Sequence, residues 1–207
     1  MAEEQIATHE EPEETEERRE LDPETRARRQ AALRHVRKYG DPVLRSRARE
    51  IEVFDATLGD EVRRMERLMD EALGIGLAAT QLGVMHRLLV YRVEREGPLG
   101  VLVNPEIEFK GDEVETLEEG CLSLPGVSVE VERPVHVRVR AQDLEGAPLM
   151  LEATGLEARV IQHEVDHLDG VLILDRTTRD QRKQAMRAMR EAIAGGGSDD
   201  APPAVSA

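Results

Sequence analysis

Positions 162–167 read QHEVDH, which constrains this chain more than any other stretch: two imidazoles stand four residues apart, with a carboxylate beside the first. On a helix, residues at i and i+4 project from nearly the same face about one turn apart, so His163 and His167 can share one metal ion only if the segment is helical. Glu164 then lies beside that ion rather than on it. This is the HExxH arrangement, in which the histidines hold a divalent metal and the Glu moves protons for an activated water. Gly155 and Gly170 bound the expected helix, at about 155–168. The bland alternative is a solvated helix that carries two histidines by chance.

Cys121 is the only cysteine, so an internal disulfide is excluded and a reducing compartment is the natural inference. A lone cysteine is most often a small buried hydrophobe. Here it follows a glycine in EGCLS, and two imidazoles plus one thiolate make a three-ligand set that leaves a fourth position open, the pattern of a catalytic site rather than a structural one. A third segment, GIGLAATQLGV at 74–84, sets glycines at alternate positions where backbone must approach something closely, and Gln81 adds a neutral side-chain donor. It does not fit a dinucleotide site, because a helix rather than a strand precedes it.

Taken together, GIGLAATQ at 74–81, EGCLS at 119–123 and QHEVDHLDG at 162–170 resemble the three motifs of the bacterial peptide deformylases, in order and spacing. RKYGDPVLR at 37–45 and SLPGVSVEVERPVHVRVRAQDLEG at 123–146 extend the similarity over about 35–176.

The 207 residues, 40% of them apolar, suit one small catalytic domain with tails. Aromatics are only 2%, so aliphatic side chains must supply most of the burial. Much of the net charge of −15 sits at the ends: residues 1–24 hold eleven Asp/Glu against two Arg. The expected organisation is an acidic, disordered extension at 1–30, a catalytic domain at 31–194 that includes a C-terminal helix at 177–194, and a flexible tail at 195–207. Nothing resembles a membrane span or a signal peptide, so a cytoplasmic protein with neither membrane nor DNA as partner is expected.

Leu58, Val62, Met65, Met69 and Leu73 recur at helical spacing, with Thr57 and Asp60 resembling a capping box. Strands are expected at 87–93, 100–104, 106–109, 127–131 and 135–140, where Val135, Val137 and Val139 alternate strictly. The expected fold class is α+β, with antiparallel strands packed around a central HExxH metal-binding helix.

The residue types suggest a division of labour. His163, His167 and Cys121 would hold one divalent metal, Glu164 would accept the proton of the attacking water, and Gln81 with the Leu122 N–H would donate to the developing oxyanion. The donor set suits Zn²⁺, Ni²⁺, Co²⁺ and Fe²⁺ alike; the resemblance implies native Fe²⁺. It also implies the substrate, the N-formyl group on the initiator methionine of nascent polypeptides. By the same resemblance the methionine side chain would enter an apolar pocket of Ile75, Leu117, Leu156 and Val160, with Gly76 and Gly120 admitting the substrate backbone. Arg159 and Glu157 adjoin this pocket in sequence without a readable orientation.

Two other functions fit parts of the pattern: an HExxH metallopeptidase that cuts internal peptide bonds, and a non-catalytic, ribosome-associated metal-binding module. Basic residues crowd 176–190, opposed only by Asp175, Asp180 and Glu191, so the C-terminal helix is a candidate ribosome-docking element beside the plainer reading of a solvated helix on its own domain.

Overall fold

The computed structural model describes residues 21–194, with side chains described as far as 191. The tail expected at 195–207 and residues 1–20 of the expected extension lie outside the described residues. The chain folds as mixed helix and antiparallel sheet. Helix α1 (Pro23–Leu33) is started by Asp22, whose carboxylate accepts from the N–H groups of Glu24 and Thr25, with Pro23 at the first helical position. It buries Arg29, Ala32 and Leu33. This corrects the sequence expectation, which placed 23–30 in an unstructured extension.

Helix α2 (Ala56–Glu71) buries Leu58, Val62, Met65 and Met69 as their spacing requires. Its N-cap is Asp55, which accepts from Thr57 and Leu58, rather than the expected Thr57–Asp60 pair. Leu73 falls beyond the helix at a positive φ of 60°, ending the stripe one turn early.

Five strands form one antiparallel sheet in the order β1 (Gly76–Ala78), β2 (Leu88–Tyr91), β3 (Gly100–Lys110), β6 (His136–Gln142) and β7 (Pro148–Thr154). Strands β4 (Val114–Gly120) and β5 (Ser128–Pro134) pair separately. The two strands expected at 100–104 and 106–109 are one strand with a register irregularity between Val103 and Glu106. Asn104 sits there at φ 53°, its side chain tied to both backbone groups of Ile51. Three strands were not expected: β1, β4 and β7.

Helix α3 (Gly155–Leu168) packs against strands of both sheets and buries every residue from Ala158 to Leu168. Gly170 ends it at φ 73°, where an added Cβ would lie 2.7 Å from the Arg45 backbone. Short α4 (Ile173–Arg176) and α5 (Arg179–Ala194) follow. Ala185 of α5 is buried, and Met186 and Met189 pack on the core cluster that contains Cys121, Val129, Val131 and Leu174. Among the described residues no helix is long and apolar enough to cross a membrane.

Candidate metal centre

Three elements bring the site together. α3 presents His163 and His167 from one face, the turn after β4 supplies Cys121, and the 3-10 turn after β1 (Ala79–Leu82) supplies Gln81. One sulfur and two ring nitrogens, from Cys121, His163 and His167, lie within 4.8 Å of one another, and all three residues are buried. Cys121 Sγ is 3.2 Å from His167 Nε2. The Nδ1 atom of His163 is 3.0 Å from Glu119 Oε2, which leaves its Nε2 for the centre of the group.

The carboxylate of Glu164 is as buried as the histidines, and its Oε2 finds no hydrogen-bond partner among the described residues. Burial lifts its carboxyl to about 7, against the lowering influence of His163 and Arg133. A fully buried carboxylate oxygen without a partner is costly unless something joins it. The Cys/His/His donor set and this oxygen together fit a divalent cation with a reacting water beside it. The Nδ1 atom of His167 is likewise without a partner among the described residues.

Gln81 is held in one orientation: Ala78 N–H donates to its Oε1 at 2.9 Å, which turns its amide nitrogen toward Ser123 Oγ (3.3 Å) and Cys121 Sγ (3.8 Å). Gly76 has a reason beyond the expected admission of a substrate backbone, since an added Cβ would lie 2.5 Å from Glu164 Oε1 and 2.9 Å from Val160 Cγ1. Gly120 is buried at the end of β4, and Leu122 N–H belongs to the same turn as Cys121.

The expected apolar pocket is brought together only in part. Val160 is fully buried in the core, with Ile75 packed at the edge of the same cluster. Leu117 and Leu156 are 43% and 38% exposed and belong to none of the core clusters. Arg159 turns to Glu119, at 2.7 Å, and to the carbonyls of Val131 and Glu115, while Glu157 accepts from the Tyr91 hydroxyl at 2.8 Å.

Sequence reasoning missed the charged network behind His163. Arg133 donates twice to Glu119, at 2.6 and 2.9 Å, and once to Asp166, at 2.9 Å; Arg176 completes the far side of Asp166. Burial alone would raise the Glu119 carboxyl, but hydrogen bonds from His163 and Arg133 hold it well below the usual carboxylate range. Burial likewise opposes charge on His163, yet Cys121 and Glu119 raise that imidazole to about 10. Burial drives His167 the other way, well below its ordinary value. One signal was available: Val129, Val131 and Arg133 alternate on the inward face of β5, so an arginine stands where an aliphatic residue belongs.

Known proteins resemble this chain in sequence and in fold. The polypeptide deformylase family profile matches residues 33–183. Among individual relatives, the peptide deformylase of Acidothermus cellulolyticus is 45% identical over 161 residues, 78% of this chain and 88% of its own. Peptide deformylase 1 of Corynebacterium efficiens is 48% identical over 160 residues, 76% of this chain and 95% of its own. Of the solved structures, the Synechococcus elongatus peptide deformylase in complex with actinonin is 40% identical with a TM-score of 0.71, covering 81% of this chain and 91% of that one. A Plasmodium falciparum peptide deformylase is 35% identical with a TM-score of 0.73, over 77% and 95%. The chain therefore belongs to the polypeptide deformylase family.

Proposed function

We propose that this protein hydrolyses the N-formyl group from the initiator methionine of N-formylmethionyl nascent peptides, releasing formate and a free amine. The observation that carries this reading, beside family membership, is the buried Cys121/His163/His167 set together with the buried Glu164 oxygen that finds no partner among the described residues. α3 is then the central metal-binding helix of the fold, and 31–194 the catalytic domain, extended at its start by α1.

One divalent ion per chain, natively Fe²⁺ with Zn²⁺, Ni²⁺ or Co²⁺ as substitutes, would be held by Cys121 and the two histidines and would supply the Lewis acidity that activates water and polarises the formyl carbonyl. The protein does the rest. Glu164 accepts the water's proton and delivers it to the departing amine as the formyl C–N bond breaks. Gln81 and Leu122 N–H donate to the oxygen that gains charge as the carbon becomes tetrahedral. Glu119 fixes the His163 tautomer and ring orientation, and Arg133 fixes Glu119. Among the described residues β1 pairs only with β2, so its outer edge can add an extended peptide as a further strand. Ile75, Leu117, Leu156 and Val160 remain the candidates to meet the methionine side chain, Leu117 and Leu156 through their exposed surface, and Gly76 and Gly120 the places where the substrate backbone comes near.

Formate release from a formyl-Met tripeptide, set against cleavage of an N-blocked peptide with no formyl group, tests the assignment. Cleavage of the second without release of formate from the first would give the protein to the internal-bond metallopeptidases. A purely binding module would do neither, and the presence of both Glu164 and Gln81 argues against it.

The activity suits a cytoplasmic protein that meets its substrate at the ribosome. Arg179, Arg182, Lys183, Arg187 and Arg190 are exposed on α5, while Ala185, Met186 and Met189 face the core. A helix held by its apolar side and basic on the other can dock on ribosomal RNA. Reversing the charge of Arg179, Lys183 and Arg190 should abolish salt-sensitive cosedimentation with ribosomes and spare hydrolysis of a short peptide; unchanged cosedimentation leaves α5 as a packing helix. Deleting 177–207 would be a poorer test, because it strips apolar side chains from the cluster that includes Cys121.

A further inference from the structure

We propose that Lys38 tunes the Cys121 sulfur through the single peptide group that joins Leu122 to Ser123. The Lys38 ammonium donates to the Leu122 carbonyl at 3.1 Å, and the N–H at the other end of that peptide, on Ser123, donates to Cys121 Sγ at 3.4 Å. Carbonyl and N–H are coupled by amide resonance. A cation on the carbonyl oxygen therefore polarises the whole unit and makes its N–H a stronger donor. The sulfur is buried and Lys38 is half-buried, so bulk water screens this effect less than it would at the surface.

The lysine is also delivered by pinned backbone. Arg37 N–H donates to the Gln81 carbonyl at 2.6 Å and Tyr39 N–H to the Ser123 carbonyl at 2.9 Å, so residues 37–39 bridge the two loops that carry Gln81 and Cys121. A plain structural strap needs only those two backbone bonds. The additional charge-assisted bond falls on the one carbonyl whose amide partner touches the sulfur.

Hydrogen bonds to thiolate sulfur and charges around it are among the levers by which a protein sets the behaviour of a metal–thiolate bond. Lys38 withdraws density from Cys121, which leaves a bound ion a stronger Lewis acid and holds it less tightly. Lys38 acts through the Leu122 carbonyl to which it donates and is a positioning residue. This inference rests on the reading of Cys121 as a ligand.

The test uses the full chain loaded with Co²⁺, comparing Lys38→Met, Lys38→Gln and Lys38→Arg. In Lys38→Met the sulfur-to-cobalt charge-transfer band should move to longer wavelength, because the sulfur electrons lie higher, and cobalt release to a chelator should slow by roughly 3- to 10-fold, less than the ~10–100-fold that a histidine's outer partner is worth. Lys38→Gln, which keeps a donor without the charge, should fall between, and decides the matter if Lys38→Met does not fold. Lys38→Arg should match the parent. An unmoved band, or an unmoved band with faster metal release, reduces Lys38 to a strap and overturns the proposal. Absence of any sulfur-to-cobalt band in the parent protein would instead remove Cys121 from the ligand set.

Discussion

Replacing Glu164 by glutamine should separate what this side chain does for chemistry from what it costs the fold. As the proton acceptor its loss should lower deformylation by ~10²–10⁴, with metal content nearly unchanged. The stability effect runs the opposite way. In the metal-free protein burial holds the Glu164 carboxyl at about 7, above its ordinary 4.5. A carboxyl raised on folding favours the folded state while protonated, and that contribution is lost as pH rises from 4.5 through 7. At 1.36 kcal/mol per tenfold, the full span corresponds to about 3 kcal/mol, or roughly 6–12 °C in Tm for a chain of this size. Glutamine carries no such titration. Whatever its buried amide gains or loses is independent of pH, so the comparison is made between two pH values rather than at one. Thermal unfolding of metal-free parent and Glu164→Gln at about pH 5 and about pH 8 should show the variant gaining roughly 2–3 kcal/mol relative to the parent across that interval. An equal difference at both pH values would refute the reasoning. Loss of metal in proportion to activity would make Glu164 a ligand instead of a base.

Three further substitutions probe the site's supports. Glu119→Gln weakens the buried contacts to His163, Arg133 and Arg159 and leaves arginine charge behind; it should cost ~3–5 kcal/mol on denaturant unfolding and ~10–100-fold in metal retention against a chelator. Cys121→Ser should lower metal occupancy by elemental analysis, and full occupancy with unchanged activity would return Cys121 to the status of a core hydrophobe. Gly76→Ala drives a Cβ to 2.5 Å from Glu164 Oε1, so deformylation should fall by ~10²-fold through displacement of the base while metal content stays at the parent level.

The gathering of Cys121, His163 and His167 was legible because the spacing of His163, Glu164 and His167 needs only a helix, and α3 forms between the glycines that announce it. Cys121 and Gln81 were legible as residue types in unusual contexts. The support behind them was not, because Glu119, Arg133 and Asp166 come from β4, β5 and α3 and meet only through tertiary packing. β4 itself was missed for a physical reason. Its sequence VETLEEG carries three glutamates in seven residues, with Glu118 standing directly opposite Glu130 on β5, a like-charge pairing that disfavours the strand. What holds the strand is its inward Glu119, satisfied by two arginines and a histidine. Helix α1 was overlooked because its sequence is polar, although Asp22 followed by Pro23 is a start signal. Val160 packs in the core cluster, and Arg159, which adjoins the expected pocket only in sequence, belongs to the network behind His163, since helical periodicity alone does not say which neighbour covers a face.

The same burial that poises Glu164 makes protons and a cation rivals for the centre. Without a cation, Cys121 and Glu119 raise His163 to about 10 from an ordinary 6.5 despite its burial. An imidazole raised on folding contributes stability that is fully present below 6.5 and lost as pH rises through 10. His167, depressed by burial, works in reverse: its contribution is present above 6.5 and lost only below it. Above about 6.5, then, His163 and the last part of the Glu164 titration both weaken the metal-free fold as pH climbs. Binding a dication requires His163 Nε2 to be free of its proton, so binding releases protons and strengthens over the same interval. The rise in Tm on adding Zn²⁺ to metal-free protein should therefore grow steadily from about pH 6.5 to about pH 9, because the proton that competes with the cation at His163 stabilises the metal-free fold less and less over that range. A Tm increment that is flat or shrinks over that range would mean that His163 carries no proton in the metal-free protein, and that the cation does not compete with one there.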